Sequence, residues 1–149
     1  IIGVDAKLVN NLTAKLEVRN NRTMTLSFTN NEISETGGFE YVIGSGYVFE
    51  NFKVKINTAS GGKTYDNDLT IRLDFSVRDN QTVRRNIVED ITRKISGNKM
   101  YSLKSYADYM LNERFTIRVF LDYNMNKPLT NGYTTSSLSG GFNLRFSLI

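Results

Sequence analysis

Residues 68–78 read DLTIRLDFSVR, and two kinds of side chain alternate there without a break. Leu69, Ile71, Leu73, Phe75 and Val77 fall on one side of an extended chain; Asp68, Thr70, Arg72, Asp74, Ser76 and Arg78 fall on the other. A helix would scatter this pattern around its axis, so the period of two fixes a strand with one apolar and one charged face. The pattern recurs along the chain. Leu12, Ala14, Leu16 and Val18 stand against Thr13, Lys15, Glu17 and Arg19, and Tyr41, Ile43, Tyr47 and Phe49 against Glu40, Val42, Gly44, Gly46 and Val48. Phe52, Val54 and Ile56 oppose Lys53 and Lys55, and Leu103, Ala107 and Tyr109 oppose Lys104, Tyr106 and Asp108. Phe115, Ile117, Val119, Leu121 and Tyr123 oppose Arg118 and Asp122, and the sequence closes on Phe142, Leu144, Phe146 and Leu148 against Asn143 and Arg145.

Polar clusters punctuate these runs. Asn10-Asn11, 20–22, 50–51, 79–81 and 111–113 read as short turns, and 30–38, 57–67, 94–99 and 124–135 as longer loops. They divide the chain into about ten meandering antiparallel strands joined by hairpins, an all-β fold with no domain boundary inside 1–149. Segment 82–97 is ambiguous, because Ile87, Ile91 and Ile95 suit a helix face and also keep strand parity. A strand projecting beyond the main sheet is the favoured reading there.

Composition removes several chemistries. The chain has no Cys and no His, which excludes a disulfide framework, a thiolate site, a Ser-His-Asp triad and imidazole metal ligands. The net charge of +4 is spread along the chain and mixed with acids rather than gathered in a basic run, so no nucleic-acid partner is expected. The carboxylates alternate with Lys and Arg, as in the lining of a water-filled barrel, so neither catalysis nor a cofactor nor a metal is expected. "GSGY" lies inside a strand, which argues against a phosphate-cradling loop; Gly44 and Gly46 instead make room for bulky cross-strand neighbours or permit bending. There is no apolar run of about 18 residues and so no transmembrane helix. A chain that begins IIGVDAKLV, already alternating, reads as a processed product or as a piece of something longer.

Alternation alone does not name the solvent, since a soluble barrel also alternates. Three features favour a transmembrane β-barrel. Parity persists over about 9–11 residues in several strands, the span a tilted strand needs to cross a bilayer. The short turns 20–22, 50–51, 79–81 and 111–113 fall at one end and the longer loops at the other, with only Asn10-Asn11 breaking the rule. On the apolar face, Tyr47, Phe49, Phe52, Phe75, Tyr109, Phe115 and Phe146 gather toward the short-turn end, and Phe28, Tyr41 and Tyr123 toward the other, as two lipid-facing girdles around an aliphatic middle. The expected lumen face carries Lys15, Glu17, Arg19, Lys53, Lys55, Arg72, Asp74, Arg78, Lys104, Asp108, Arg118, Asp122 and Arg145. The closing strand offers Phe142, Leu144, Phe146 and Leu148 as a barrel-assembly signal.

The phrases EYVIGSGYVFENFKVKI, DLTIRLDFSVRDNQTVRRNI and SYADYMLNERFTIRVFLDYNMNKP…FNLRFSLI resemble the C-terminal end of the SprA/Sov family, the outer-membrane translocons of the type 9 secretion system in Bacteroidota. The resemblance runs over essentially the whole chain. It departs from the family pattern in the loop before the last strand, where a Pro is expected near 133–136 and none stands. It implies an arc of a very large single-chain barrel in the bacterial outer membrane, passing folded cargo proteins through its lumen. The implied partners are the rest of the same barrel, a PorV-like shuttle barrel, a periplasmic plug protein, secreted cargo and outer-membrane lipid. Two other readings stay open on the residues alone: a complete ten-stranded outer-membrane porin or protease, and a soluble lipid-binding barrel.

Overall fold

The computed structural model describes all residues except 9, 59, 60, 113, 131 and 147–149, together with the side chains of 56–58. The chain is one open antiparallel sheet of seven strands in sequential order. These are β1 (Ile2–Lys7), β2 (Leu12–Ser27), β3 (Glu32–Thr58), β4 (Gly61–Asn86), β5 (Thr92–Asn112), β6 (Phe115–Pro128) and β7 (Thr135–Phe146). No helix occurs among the described residues, and β1 and β7 are free edges. Segment 82–97 is strand on both sides of a turn. The Asn86 side-chain oxygen accepts the Val88 and Glu89 amides, and Asp90 takes a left-handed φ of 52°.

Seven strands replace the ten read from the sequence, because several polar clusters do not reverse the chain. Residues 20–22 lie inside β2, 32–38 and 50–51 inside β3, 61–67 and 79–81 inside β4, 94–99 inside β5 and 124–128 inside β6. The β1–β2, β2–β3 and β4–β5 reversals use asparagine or aspartate in the left-handed region, at Asn10 and Asn11, Asn31 and Asp90. The polar clusters at 20, 79 and 99 share one level of the sheet, Asn20↔Phe39↔Asp79↔Lys99↔Lys127. Polarity there marks where the continuous apolar band gives way to a mixed face; the strands continue past it.

The ends of the sheet change accordingly. The β1–β2, β3–β4 and β5–β6 reversals fall at one end, and the β2–β3, β4–β5 and β6–β7 reversals at the other. Three of the four short turns expected at one end are therefore not connections. The fourth, 111–113, lies at the β5–β6 reversal, its Glu113 outside the described residues. Asn10-Asn11 shares its end.

Antiparallel pairing keeps directly opposed residues on one face, so the register sorts every strand. Successive levels of the apolar face read Phe49–Leu69–Tyr109–Ile117–Leu144, then Leu12–Tyr47–Ile71–Ala107–Val119–Phe142. Above them come Ala6–Ala14–Ser45–Leu73–Ser105–Leu121–Gly140 and Val4–Leu16–Ile43–Phe75–Leu103–Tyr123–Leu138. The fifth level is Ile2–Val18–Tyr41–Val77–Tyr101–Met125. The band thus spans Leu69–Val77 in β4 and matching segments of its neighbours. Above it, β2–β5 run on for about eight residues as a four-stranded extension, polar on the charged side and mixed on the other, where Met24, Leu26, Ile33 and Val83 stand among Arg22, Glu35 and Arg85. Arg22 pairs with Glu35 on one side, and Thr36 Oγ1 meets Thr82 Oγ1 at 3.1 Å on the other.

The sheet is a single layer. Leu16 is 57% exposed, Leu73 45% and Val119 55%, and the only buried hydrophobic residue among those described is Tyr109, at 8%. A domain ordinarily buries the apolar face of a sheet under a second layer; none is present among the described residues.

Candidate functional site: a charged trough behind an apolar band

The charged face is concave. A trough of about 720 Å³ runs along it from β1 to β5, lined among others by Asp5, Lys15, Arg19, Glu40, Arg72, Asp74, Lys104 and Tyr106. Gly44 and Gly46 form part of its floor and are buried. A Cβ on Gly44 would press on Asp74 Oδ1 and Lys15 Cβ, and one on Gly46 would lie 2.7 Å from Thr13 Oγ1. These glycines let long charged neighbours cross β3, the role the sequence suggested.

The register brings Lys15, Glu17, Arg19, Arg72, Asp74, Arg78, Lys104, Asp108, Arg118, Asp122 and Arg145 onto this one face. They form mixed networks. Lys15 Nζ lies 2.9 Å from Glu17, whose other oxygen accepts from Arg19 Nε. Arg19 also reaches Glu40 at 3.4 Å, and Arg78 Nη2 donates to the same carboxylate at 2.8 Å. This chain of charges crosses β2, β3 and β4, and Glu40 is a member the sequence had left out of the set. Farther on, Arg118 grips Asp108 with two parallel bonds, its Nη2 at 2.8 Å. Its guanidinium stands 4.8 Å from the Tyr106 ring centre, and Arg72 Nη1 donates to Tyr106 Oη at 3.3 Å. Asp74, Lys104 and Asp122 share one level with alternating sign. Lys53 and Lys55 do not join the trough; they lie on the β3–β4 hairpin beyond the band. Among the described residues no three acidic groups stand close enough to hold a metal. Paired and alternating charges of this kind fix side chains and keep a surface wetted.

On the opposite face the rings fall in two zones. Phe146 is opposite Phe115, followed by Phe49 and Tyr109 on one level and Tyr47 with Phe142 on the next. Phe52 joins them past a bulge, with Tyr47, Phe49, Phe52 and Tyr109 linked edge to face at centroid distances of 4.5, 6.5 and 6.2 Å. The level of Leu73 carries no ring. Above it come Phe75 and Tyr123, then Tyr41 and Tyr101, then Phe39. Two assignments change. Phe75 belongs to the upper zone, because the turn presumed at 79–81 had inverted its strand. Phe28 leaves the band altogether and sits 83% exposed at the β2–β3 tip. Phe39, Tyr101 and Phe142 are added; Phe39 shares the parity of Tyr41 at the start of the segment that follows the loop assigned to 30–38. Phe142, Leu144 and Phe146 share the apolar face of β7, and Leu148 lies outside the described residues.

No family model and no curated protein matches this chain.

Proposed function

We propose that this sheet is an arc of an outer-membrane β-barrel wall, its apolar face toward lipid and its charged face toward a water-filled lumen. The observation that carries the reading is a continuous apolar band at matching levels of adjacent strands, left uncovered on a single-layer sheet. Leu69–Val77 and its neighbours span about nine residues per strand, close to the 9–11 of a tilted membrane strand. The two ring zones on either side of Leu73 suit the two interfaces of a hydrocarbon slab. The concave trough on the charged side argues against a soluble lipid-binding barrel, which would line its hollow with the apolar face. Seven strands and two unpaired edges weigh against closure as a ten-stranded porin or protease, since backbone groups at membrane depth need partners.

With the SprA/Sov resemblance, the reading becomes that of a non-enzymatic, protein-conducting translocon of the type 9 system. The remaining barrel strands would pair with β1 and β7, folded cargo would pass the charged face, and a PorV-like shuttle and a periplasmic plug would act on the whole. The alternating charges would hold water at the wall and disfavour adhesion of cargo. Replacing Arg72, Arg78 and Arg118 together with Leu is expected to leave barrel assembly intact and to lower export. Unchanged export from a normally assembled barrel would remove the assignment of the charged face to the conduit.

A further inference from the structure

Below the band, β3 and β4 continue together for seven pairs, from Phe52↔Asn67 to Thr58↔Gly61. Among the described residues no further strand pairs with them there: β2 pairs with β3 no farther than Tyr47, and β5 with β4 no farther than Leu69. A bare two-stranded hairpin is marginally stable in water, yet this one is pinned. Asn51, at φ 54°, forms a bulge corner where the register shifts between Phe49 and Phe52, and its amide donates to Asp68 Oδ1. Asn67 Nδ2 donates to the Leu111 carbonyl at 3.0 Å.

Tyr109 fixes the direction of the corner. It stands opposite Leu69. Were β4 straight, Tyr65 would lie about 13 Å along from Leu69, roughly twice the reach of a phenol. Tyr109 Oη nevertheless shares its proton between the carbonyls of Phe52 at 3.0 Å and Tyr65 at 3.1 Å. The hairpin therefore folds over the apolar face and roofs Tyr109, which accounts for that residue's burial. After the fold, Phe52, Val54 and Tyr65 continue the apolar side and turn back toward the band, whereas Lys53 and Lys55 point away from it. Lys63 reaches over the Tyr65 ring at 5.1 Å. In register with Ile56, Lys63 stands on the ring side; Asp66 lies 3.7 Å from Lys53 and is half exposed, and Glu50 and Asp68 flank the corner.

We propose that this hairpin is an interfacial foot, resting flat on the membrane surface with its rings in the bilayer and its lysines on the phosphates of anionic phospholipid. The inference rests on the membrane reading above. Its grounds are the positive charge, the continuity of Phe52 with the ring zone of the band, and the outward fold. Lysine stems suit the place, since they lie along apolar surface and carry the ammonium to the phosphate level.

The test uses the complete barrel that carries this chain, in bilayers of phosphatidylcholine with phosphatidylglycerol. Spin labels are placed singly through Val54→Cys, Lys55→Cys and Leu73→Cys. The labels at 54 and 73 are expected to relax with oxygen and to be shielded from a nickel chelate, and the label at 55 to show the reverse. Changing Lys53, Lys55 and Lys63 to Gln should reduce the preference for spin-labelled phosphatidylglycerol over phosphatidylcholine by roughly fivefold for each lysine on a phosphate, as about 1 kcal/mol per charge implies. A label at 54 in water with 73 in hydrocarbon overturns the foot and leaves the wall standing. A label at 73 in water overturns both. An unchanged lipid preference in the Gln variant overturns the headgroup assignment.

Discussion

Leu73 is the position at which the membrane reading is most exposed to refutation. It is the central residue of Leu69–Val77, four residues from either edge, or about 13 Å along the strand at 3.3 Å per residue. A tilt near 40° turns that into roughly 10 Å of depth, which is close to the midplane of an apolar belt about 25 Å tall. Arginine there should cost about 2–4 kcal/mol of folding stability in a bilayer. The same change at Val77, on the upper edge, should cost about 0–1 kcal/mol, because a side chain at that level reaches the interface. If the sheet stood in water the contrast would vanish: Leu73 is 45% exposed, and a surface substitution shifts stability by no more than about 0.5 kcal/mol. The assay is urea titration of the complete barrel in lipid vesicles, comparing Leu73→Arg, Val77→Arg and Ser76→Arg on the charged face. Leu73→Arg is expected to lose the most by at least about 1 kcal/mol. Equal small losses at 73, 76 and 77 would refute the assignment of the apolar face to lipid.

Other consequences are local. Removing the Arg118–Asp108 grip by Asp108→Asn, Arg118→Gln and both together should give a coupling energy of about 1 kcal/mol, since the pair is bidentate but Arg118 is half exposed; a coupling near zero would make it ornamental. Arg22 donates twice to Glu35 outside the band, and this holds the Glu35 carboxyl below its ordinary value. A lowered folded-state value means that the stabilisation is complete above the ordinary carboxylate range and drains as the pH falls through the folded value. Amide protection around 22 and 35 should accordingly weaken in acid, and Glu35→Gln should abolish that dependence; a tip that tightened in acid would contradict the pairing. A Cβ on Gly97 would lie 2.8 Å from the Asn80 carbonyl, and backbone cannot swing aside. Gly97→Ala is expected to cost about 1–3 kcal/mol in thermal unfolding, and Gly44→Ala less, because its main obstacle is the movable Asp74 carboxylate.

Face membership was legible from the sequence because parity is a local property that every strand repeats. The charged and apolar sets separate in the structure as the alternation predicts. Connectivity was not legible, and the asparagine pairs show why. Asn10-Asn11 and Asn20-Asn21 are the same letters. The first pair turns the chain at φ 29° and 65°. The second stays extended in β2, at the level where amides accumulate across the sheet: Asn80 Nδ2 donates to Asn98, and Asn98 Nδ2 to Asn126 at 2.7 Å. Only the register of distant strands tells the two apart. At 49–52 the letters did carry a clue, since Phe49 and Phe52 keep one face although three residues apart, which a tight turn or a bulge satisfies equally. The bulge wins because Asn51 takes the left-handed conformation and both strands pair on beyond it.

That beyond is where the argument about the membrane gains most. Past Asn20, Asp79 and Lys99 the strands keep their hydrogen-bonded ladder, but the continuous apolar face gives way to one in which Met24, Leu26, Ile33 and Val83 stand among Arg22, Glu35 and Arg85. A globular core ends where its elements end. A surface that turns from continuously apolar to mixed at one level in several strands, while the strands themselves go on, suits something outside the chain with a thickness of its own. Hydrocarbon of about 25–30 Å has that property, and it leaves the projecting strands free to carry polar pairs on either side, such as Arg22–Glu35 and Thr36–Thr82.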